Sequence, residues 1–148
     1  MAAGRPAETA RLLRGARRWL ATRGFEALPE FRPSRNLRVD LLAVGPGGEI
    51  WILEIKSGVA DFQADRKWRG YLEWCDRFFF CVGSDFPKSL APEEVGLIEA
   101  DSFGAEIVRE APATPLAPAR RKALLLRVAR DALARLRRSD DPGSEAMG

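Results

Sequence analysis

The spacing of apolar residues changes character several times along the chain, and each change marks an element. From Pro6 to Arg23, Leu12, Leu13, Ala16, Trp19 and Leu20 recur every three or four positions. That period predicts a helix, with Pro6 in its first turn and Gly24 as its C-terminal cap. Arg11, Arg14, Arg17 and Arg18 take the other faces. Phe25–Phe31 reads as a first strand, in which Pro29 implies an edge position or a bulge. Two strong strands follow, Leu37–Val44 and Glu49–Lys56, separated by Gly45-Pro46-Gly47-Gly48, a hairpin signal.

Ser57 to about Asp61 reads as a loop, followed by a helix ending near Trp74. Arg77–Val82 is a continuous apolar run and is expected to be a buried strand. Ser84–Pro92 is loop with at most a short helical turn. Gly96–Ala100 and Ala105–Arg109 predict two short strands, and Pro112, Pro115 and Pro118 a stiff linker. A last helix is expected over Ala119–Arg138, with Leu125, Val128, Ala129, Ala132, Leu133 and Leu136 facing inward. Residues from Ser139 onward are expected to be a disordered tail.

A three-stranded meander followed by a crossover helix into another strand gives an α/β fold, a mixed sheet flanked by helices with an added C-terminal helix. We expect one domain over residues 1–138, its core at about 6–110. With 148 residues and 46% hydrophobic content, the chain can bury a core. It has no apolar run near the ~20 residues that span a bilayer and no apolar signal core, so a soluble cytoplasmic protein without membrane contact is expected.

Composition narrows the chemistry. There is no histidine, which excludes Ser-His-Asp and Cys-His nucleophilic machinery and His-ligated metal sites. Hydrolysis would have to come from carboxylates, lysine and a hard cation. The two cysteines, Cys75 and Cys81, read as reduced core thiols. A net charge of +3 with 24 Lys+Arg is compatible with nucleic-acid binding without requiring it.

The strand Ile50-Trp51-Ile52-Leu53-Glu54-Ile55-Lys56 is apolar on both faces until its end. Alternation puts Glu54 and Lys56 on one face, where a buried strand has no ordinary use for charge. Asp40 opens the other hairpin strand. A three-residue Pro46-Gly47-Gly48 loop sets Asp40 opposite Glu54, with Cβ atoms roughly 4.5–5.5 Å apart. A two-residue turn would move Asp40 to the other face. Carboxylates that close repel unless neutralised, and Mg²⁺ or Mn²⁺ is the natural neutraliser. Lys56 would either orient or deprotonate a water, or stabilise charge developing on a phosphate.

Asp40 followed across the hairpin by Glu54-Ile55-Lys56 resembles the PD-(D/E)xK signature of the restriction-endonuclease-like superfamily, and the element order is similar to its αβββαβ core. Val39 stands where the signature usually has Pro. The resemblance covers about Pro6 to Gly83. It implies that Asp40, Glu54 and the Ile55 backbone carbonyl are metal ligands. Asp61-Phe62, Asp65, Lys67-Trp68, Tyr71, Cys75-Asp76-Arg77-Phe78 and Gly96-Leu97-Ile98-Glu99-Ala100-Asp101 are similar to the MmcB-like DNA repair proteins of bacteria. That extends the likeness to about Arg109 and implies a DNA repair role.

Gln63, Lys67 and Tyr71, spaced by four, would share one helical face. Related nucleases carry a Gln-x3-Tyr pair facing the active site, so by resemblance Lys67 meets phosphate and Tyr71 stands beside it. Asp65 would orient a nearby lysine. Glu30 is either an extra acidic residue near the metal or an exposed strand carboxylate. Arg32, Arg35 and Arg38, in a loop-like stretch, suit either DNA phosphates or a solvated loop. Trp68 and Trp74 read as core. The arginines of the last helix form either a solvated face or a DNA or partner contact.

The expected function is a metal-dependent DNA endonuclease acting in repair, as a monomer or homodimer, with DNA and other repair proteins as partners. The competing expectation is a catalytically inactive nuclease-fold module that binds nucleic acid or repair partners.

Overall fold

The structure, a computed structural model, describes residues 4–144. Residues 145–148 of the expected tail lie outside the described residues. The chain falls into two compact units, Met1–Leu116 and Ala117–Gly148.

In the first unit, α1 (Gly4–Thr22) precedes β1 (Glu26–Ser34), β2 (Leu37–Val44) and β3 (Ile50–Lys56). A short helix, α2 (Val59–Ala64), and a 3₁₀ helix over Trp68–Trp74 lead to β4 (Arg77–Val82). A 3₁₀ turn at Lys88–Leu90 precedes β5 (Gly96–Ala100) and β6 (Ala105–Arg109). The six strands form one sheet in sequence order, β1-β2-β3-β4-β5-β6. The β3–β4 and β4–β5 pairs are parallel and the rest antiparallel. The expected αβββαβ order and mixed α/β sheet are therefore present, with β5 and β6 as extensions.

One face of the sheet packs on α1. Leu12, Ala16 and Leu20 join Leu41, Ala43, Trp51, Leu53, Phe79, Cys81 and Ile98 in a single buried cluster. The helix approaches the β5–β6 turn so closely that a Cβ on Gly15 would collide with the Asp101 carbonyl oxygen. The opposite face is aromatic: Phe62 packs edge-on to Phe80 and Phe86, and Trp68 against Phe78 and Phe80. Among the described residues, no helix is long and apolar enough to cross a membrane.

Pro29 lies on the edge strand β1 and is followed by Glu30 at φ 51, while the β1–β2 register slips between Phe31 and Ser34. A proline on an edge strand costs no ladder bond. β1 also runs three residues past its expected end, which changes the reading of the arginines there. Arg32 is within β1, Arg35 is in the turn and Arg38 is on β2, all exposed, so the expected loop ahead of Asp40 is strand and tight turn.

Asp76 fastens the start of β3 to the segment after β6. Its carboxylate accepts the Ile50 N–H and the Leu116 N–H, each at 2.8 Å, and its carbonyl accepts from Thr114. Asp76→Ala would leave two part-buried donors without acceptors. We expect a loss of about 2–4 kcal/mol, read from urea unfolding, whereas Asp76→Asn should recover part of it.

In the second unit, α3 spans Pro118–Asp140 and carries Ser139 and Asp140 as helical residues. Its inward face differs from expectation. Leu124 is buried and Leu125, Val128 and Ala132 are half-buried, but Ala129, Leu133 and Leu136 are exposed. The apolar sector of α3 is wider than its buried stripe, and a broad sector does not reveal which of its edges is buried.

Candidate active site

The hairpin turn decides the site. Gly45 N–H donates to the Glu49 carbonyl and Gly48 N–H to the Gly45 carbonyl. Gly48 has φ 90, the left-handed position that closes a three-residue loop and that glycine adopts without strain. The loop is therefore Pro46-Gly47-Gly48, and the ladder runs Val44↔Ile50, Ala43↔Trp51, Leu42↔Ile52, Leu41↔Leu53. One further step brings Asp40 level with Glu54, as the longer loop requires. The two residues interlock: Asp40 N–H donates to Glu54 Oε1 and Ile55 N–H to Asp40 Oδ2, both at 2.8 Å.

All of β3 is buried, Glu54 at 5% exposure and Lys56 at 6%. Burial raises the Asp40 carboxyl above its usual range, with the Ile55 N–H pulling the other way. Burial, then the charge of Asp40, pushes Glu54 up to about 9. A carboxyl whose folded-state pKa is raised favours the fold below its unfolded value and loses that contribution as pH rises toward the folded one. In EDTA, stability should therefore fall between pH 4.5 and about 9, with a limiting slope of about 1.4 kcal/mol per pH unit for one proton. Glu54→Gln should flatten that slope in thermal melts taken across the range.

Lys56 is held by Asp65. Its Nζ lies 2.6 Å from Asp65 Oδ2, with both side chains under 10% exposed. Asp65 Oδ1 accepts the N–H groups of Lys67 and Trp68, at 2.8 and 3.1 Å. This overturns the single helix expected through Trp74. Asp65 is extended (φ −77, ψ 118), α2 ends before it, and the chain restarts as a 3₁₀ turn. A short carboxylate that binds the following N–H groups competes with the helical ladder, and here it is also anchored by a buried ammonium. Gln63, Lys67 and Tyr71 therefore do not share a helical face. Gln63 and Lys67 are exposed and Tyr71 is buried.

Tyr71 hydroxyl donates to the Arg38 carbonyl at 3.2 Å, fixing the strand just before Asp40. Burial raises its phenol above the usual range. The exposed Arg38 guanidinium lowers the pKa of both Asp40 and Tyr71. Asp61 accepts from the Ser57 N–H and hydroxyl at 3.1 and 3.4 Å, and its charge bears on Asp40. Sequence reasoning gave Asp61 no place at the site. Its signals were its place in the MmcB-like stretch Asp61-Phe62 and its position one helical turn after Ser57, where a carboxylate reaches back to the chain entering the helix. Glu30 is level with Asp40 in the β1–β2 register, between Pro29↔Leu41 and Phe31↔Val39, and is exposed. Trp68 belongs to the aromatic core. Cys75 and Cys81 are free and buried, their thiols pushed up to about 12 by burial.

Among the described residues, no group of three or more His, Cys, Asp or Glu is arranged to hold a metal ion. The carboxylates of Asp40 and Glu54, joined by the Ile55 carbonyl that the resemblance implies, would make a smaller, all-oxygen donor set. That set fits a hard divalent cation, which takes one or two carboxylates and keeps several waters. Burial and the charge of Asp40 raise the Glu54 carboxyl by more than the Asp40 N–H and Lys56 offset, and a cation beside the two carboxylates would relieve that.

Residues 1–143 match the family described as DNA repair protein MmcB-like. A solved structure of a protein of unknown function from Silicibacter pomeroyi is 52% identical, over 95% of this chain and 96% of that one, with a TM-score of 0.90. A repair endonuclease from Pyrococcus abyssi is a faint likeness, 22% identical over 74% of this chain and 48% of that one, with a TM-score of 0.42 too slight to argue from. No curated protein matches. With nearly its whole length matched, the chain belongs to the MmcB-like family of DNA repair proteins.

Proposed function

We propose that the chain is a metal-dependent DNA endonuclease that hydrolyses phosphodiester bonds in repair. The observation that carries this is the meeting of Asp40 and Glu54 at the buried end of a rigid hairpin, with Lys56 on the same face as Glu54. Membership of a DNA repair family makes DNA the substrate of choice. Asp40, Glu54 and the Ile55 carbonyl would hold Mg²⁺ or Mn²⁺, which supplies Lewis-acid stabilisation of charge building on the phosphate.

The chain's own residues do the positioning. Asp65 holds the Lys56 ammonium in place, where it can donate to a phosphate oxygen beside the two carboxylates. Tyr71 and the Ile55 N–H fix the backbone and carboxylate of Asp40, so little reorganisation is needed when substrate arrives. Arg38, with Arg32 and Arg35 on the same stretch, meets the DNA backbone, and Lys67 lies exposed beyond the Asp65 turn.

The test is cleavage of labelled linear, nicked and branched DNA in Mg²⁺, Mn²⁺ and EDTA. Metal-dependent products from the wild type, absent with Asp40→Ala, support the reading. A metal that displaces the Glu54 proton should also stabilise the fold more as pH rises. The melting-temperature gap between Mg²⁺ and EDTA should therefore widen from pH 6 toward about 9.

A second reading is favoured by one observation: the Lys56 ammonium is already paired with Asp65. On that reading the pair is structural and the domain binds DNA without cutting it. DNA binding without cleavage by either protein, with affinity unchanged or raised in Asp40→Ala, would select it.

A further inference from the structure

The net positive charge of the chain lies in its last segment. Residues 117–148 carry eight Lys/Arg and four Asp/Glu, whereas residues 1–116 carry sixteen and seventeen. The sequence of α3 holds eight basic residues and two acidic ones, Asp131 and Asp140. The exposed leucines of the same helix are not scattered. Leu126, Leu133 and Leu136 are 61%, 64% and 57% exposed, and they follow one another at intervals of seven and three, with exposed Ala129 between the first two. That is the a/d spacing of a seam that takes one other helix. Arg130 and Arg137 stand four residues after Leu126 and Leu133, along one edge of the seam, both exposed. Arg137 also donates to Ser144.

We propose that the Leu126–Leu133–Leu136 face of α3 docks an acidic amphipathic helix of a partner protein, the partner's leucines in the seam and its carboxylates along the Arg130–Arg137 edge. Charge complementarity selects this occupant. A second copy would bring another strongly basic helix into contact and set like charge against like. Duplex DNA would meet the arginines but gives three exposed leucines nothing to bury against. The inference goes beyond the nuclease reading and does not depend on it, since none of these residues belongs to the candidate active site.

The test uses the full chain and two fluorescent synthetic helices of three heptads, both with leucine at a and d, one with glutamate and the other with lysine at e and g. Binding is read by fluorescence anisotropy. The wild type should prefer the glutamate helix. Leu126→Ser with Leu133→Ser should weaken it roughly tenfold or more, with the melting temperature unchanged because both side chains are exposed. Arg130→Glu with Arg137→Glu should reverse the preference toward the lysine helix. Equal binding of both helices, or leucine variants that bind like the wild type, would overturn the proposal. Duplex DNA binding lost only in the arginine variants, with no preference between helices, would make α3 a nucleic-acid face instead. Concentration-dependent self-association abolished by the leucine variants, with no helix bound, would make it a self-interface.

Discussion

Asp40→Asn is expected to abolish DNA cleavage while leaving the fold in place. The amide keeps an oxygen for the Ile55 N–H, so the hydrogen bond between the hairpin strands survives. What disappears is one of two negative charges that would hold a divalent cation. Losing several kcal/mol of transition-state stabilisation corresponds to roughly 10³-fold or more in rate. The same substitution should lower the pKa of Glu54, because the charge of Asp40 is the second cause of its elevation. Cleavage kinetics measured beside carboxyl chemical shifts would therefore see both effects in one variant. Wild-type rates in a folded Asp40→Asn protein would refute the proposed ligand set.

The largest stability effect is expected at Asp65. Asp65→Ala leaves the buried ammonium of Lys56 without its carboxylate. Breaking one side of a buried ion pair costs about 3–5 kcal/mol, since the remaining charge stays buried and unpaired. In a chain of this size that is a fall of roughly 10 °C in melting temperature. The substitution also removes the acceptor for the Lys67 and Trp68 N–H groups, so the turn that separates α2 from the 3₁₀ helix loosens. Asp65→Asn should cost less, because the amide oxygen can keep the turn. Lys56→Met combined with Asp65→Ala should recover much of the lost stability, since no buried charge remains. A double variant as unstable as Asp65→Ala would place the cost in the turn rather than in the ion pair.

The two residues teach different things about reading this chain. Asp40 and Glu54 were legible because strand alternation and hairpin geometry are local rules: once the loop is Pro46-Gly47-Gly48, facing pairs follow by counting. The partner of Lys56 was not legible. Asp65 was expected inside a helix orienting some nearby lysine, and nothing local says that its carboxylate turns back across the sheet face to β3. Arg32, Arg35 and Arg38 were misplaced for a related reason. The register slip that carries β1 past Phe31 depends on pairing with β2, and a single strand cannot announce its neighbour's register.

By itself, the sequence determined the element order, the bounds of β2, β4, β5 and β6, and the end of the hairpin where chemistry is possible, because periods of two and 3.6 and glycine-rich turns are properties of short segments. The absence of histidine likewise ruled out histidine-based nucleophilic machinery and histidine metal ligands. Only the tertiary structure decided that the second helix breaks at Asp65, that Asp61 bears on Asp40, and that half the apolar sector of α3 stays exposed. Each of those depends on which surface meets which, and contacts between residues far apart in sequence leave no periodic trace in either partner.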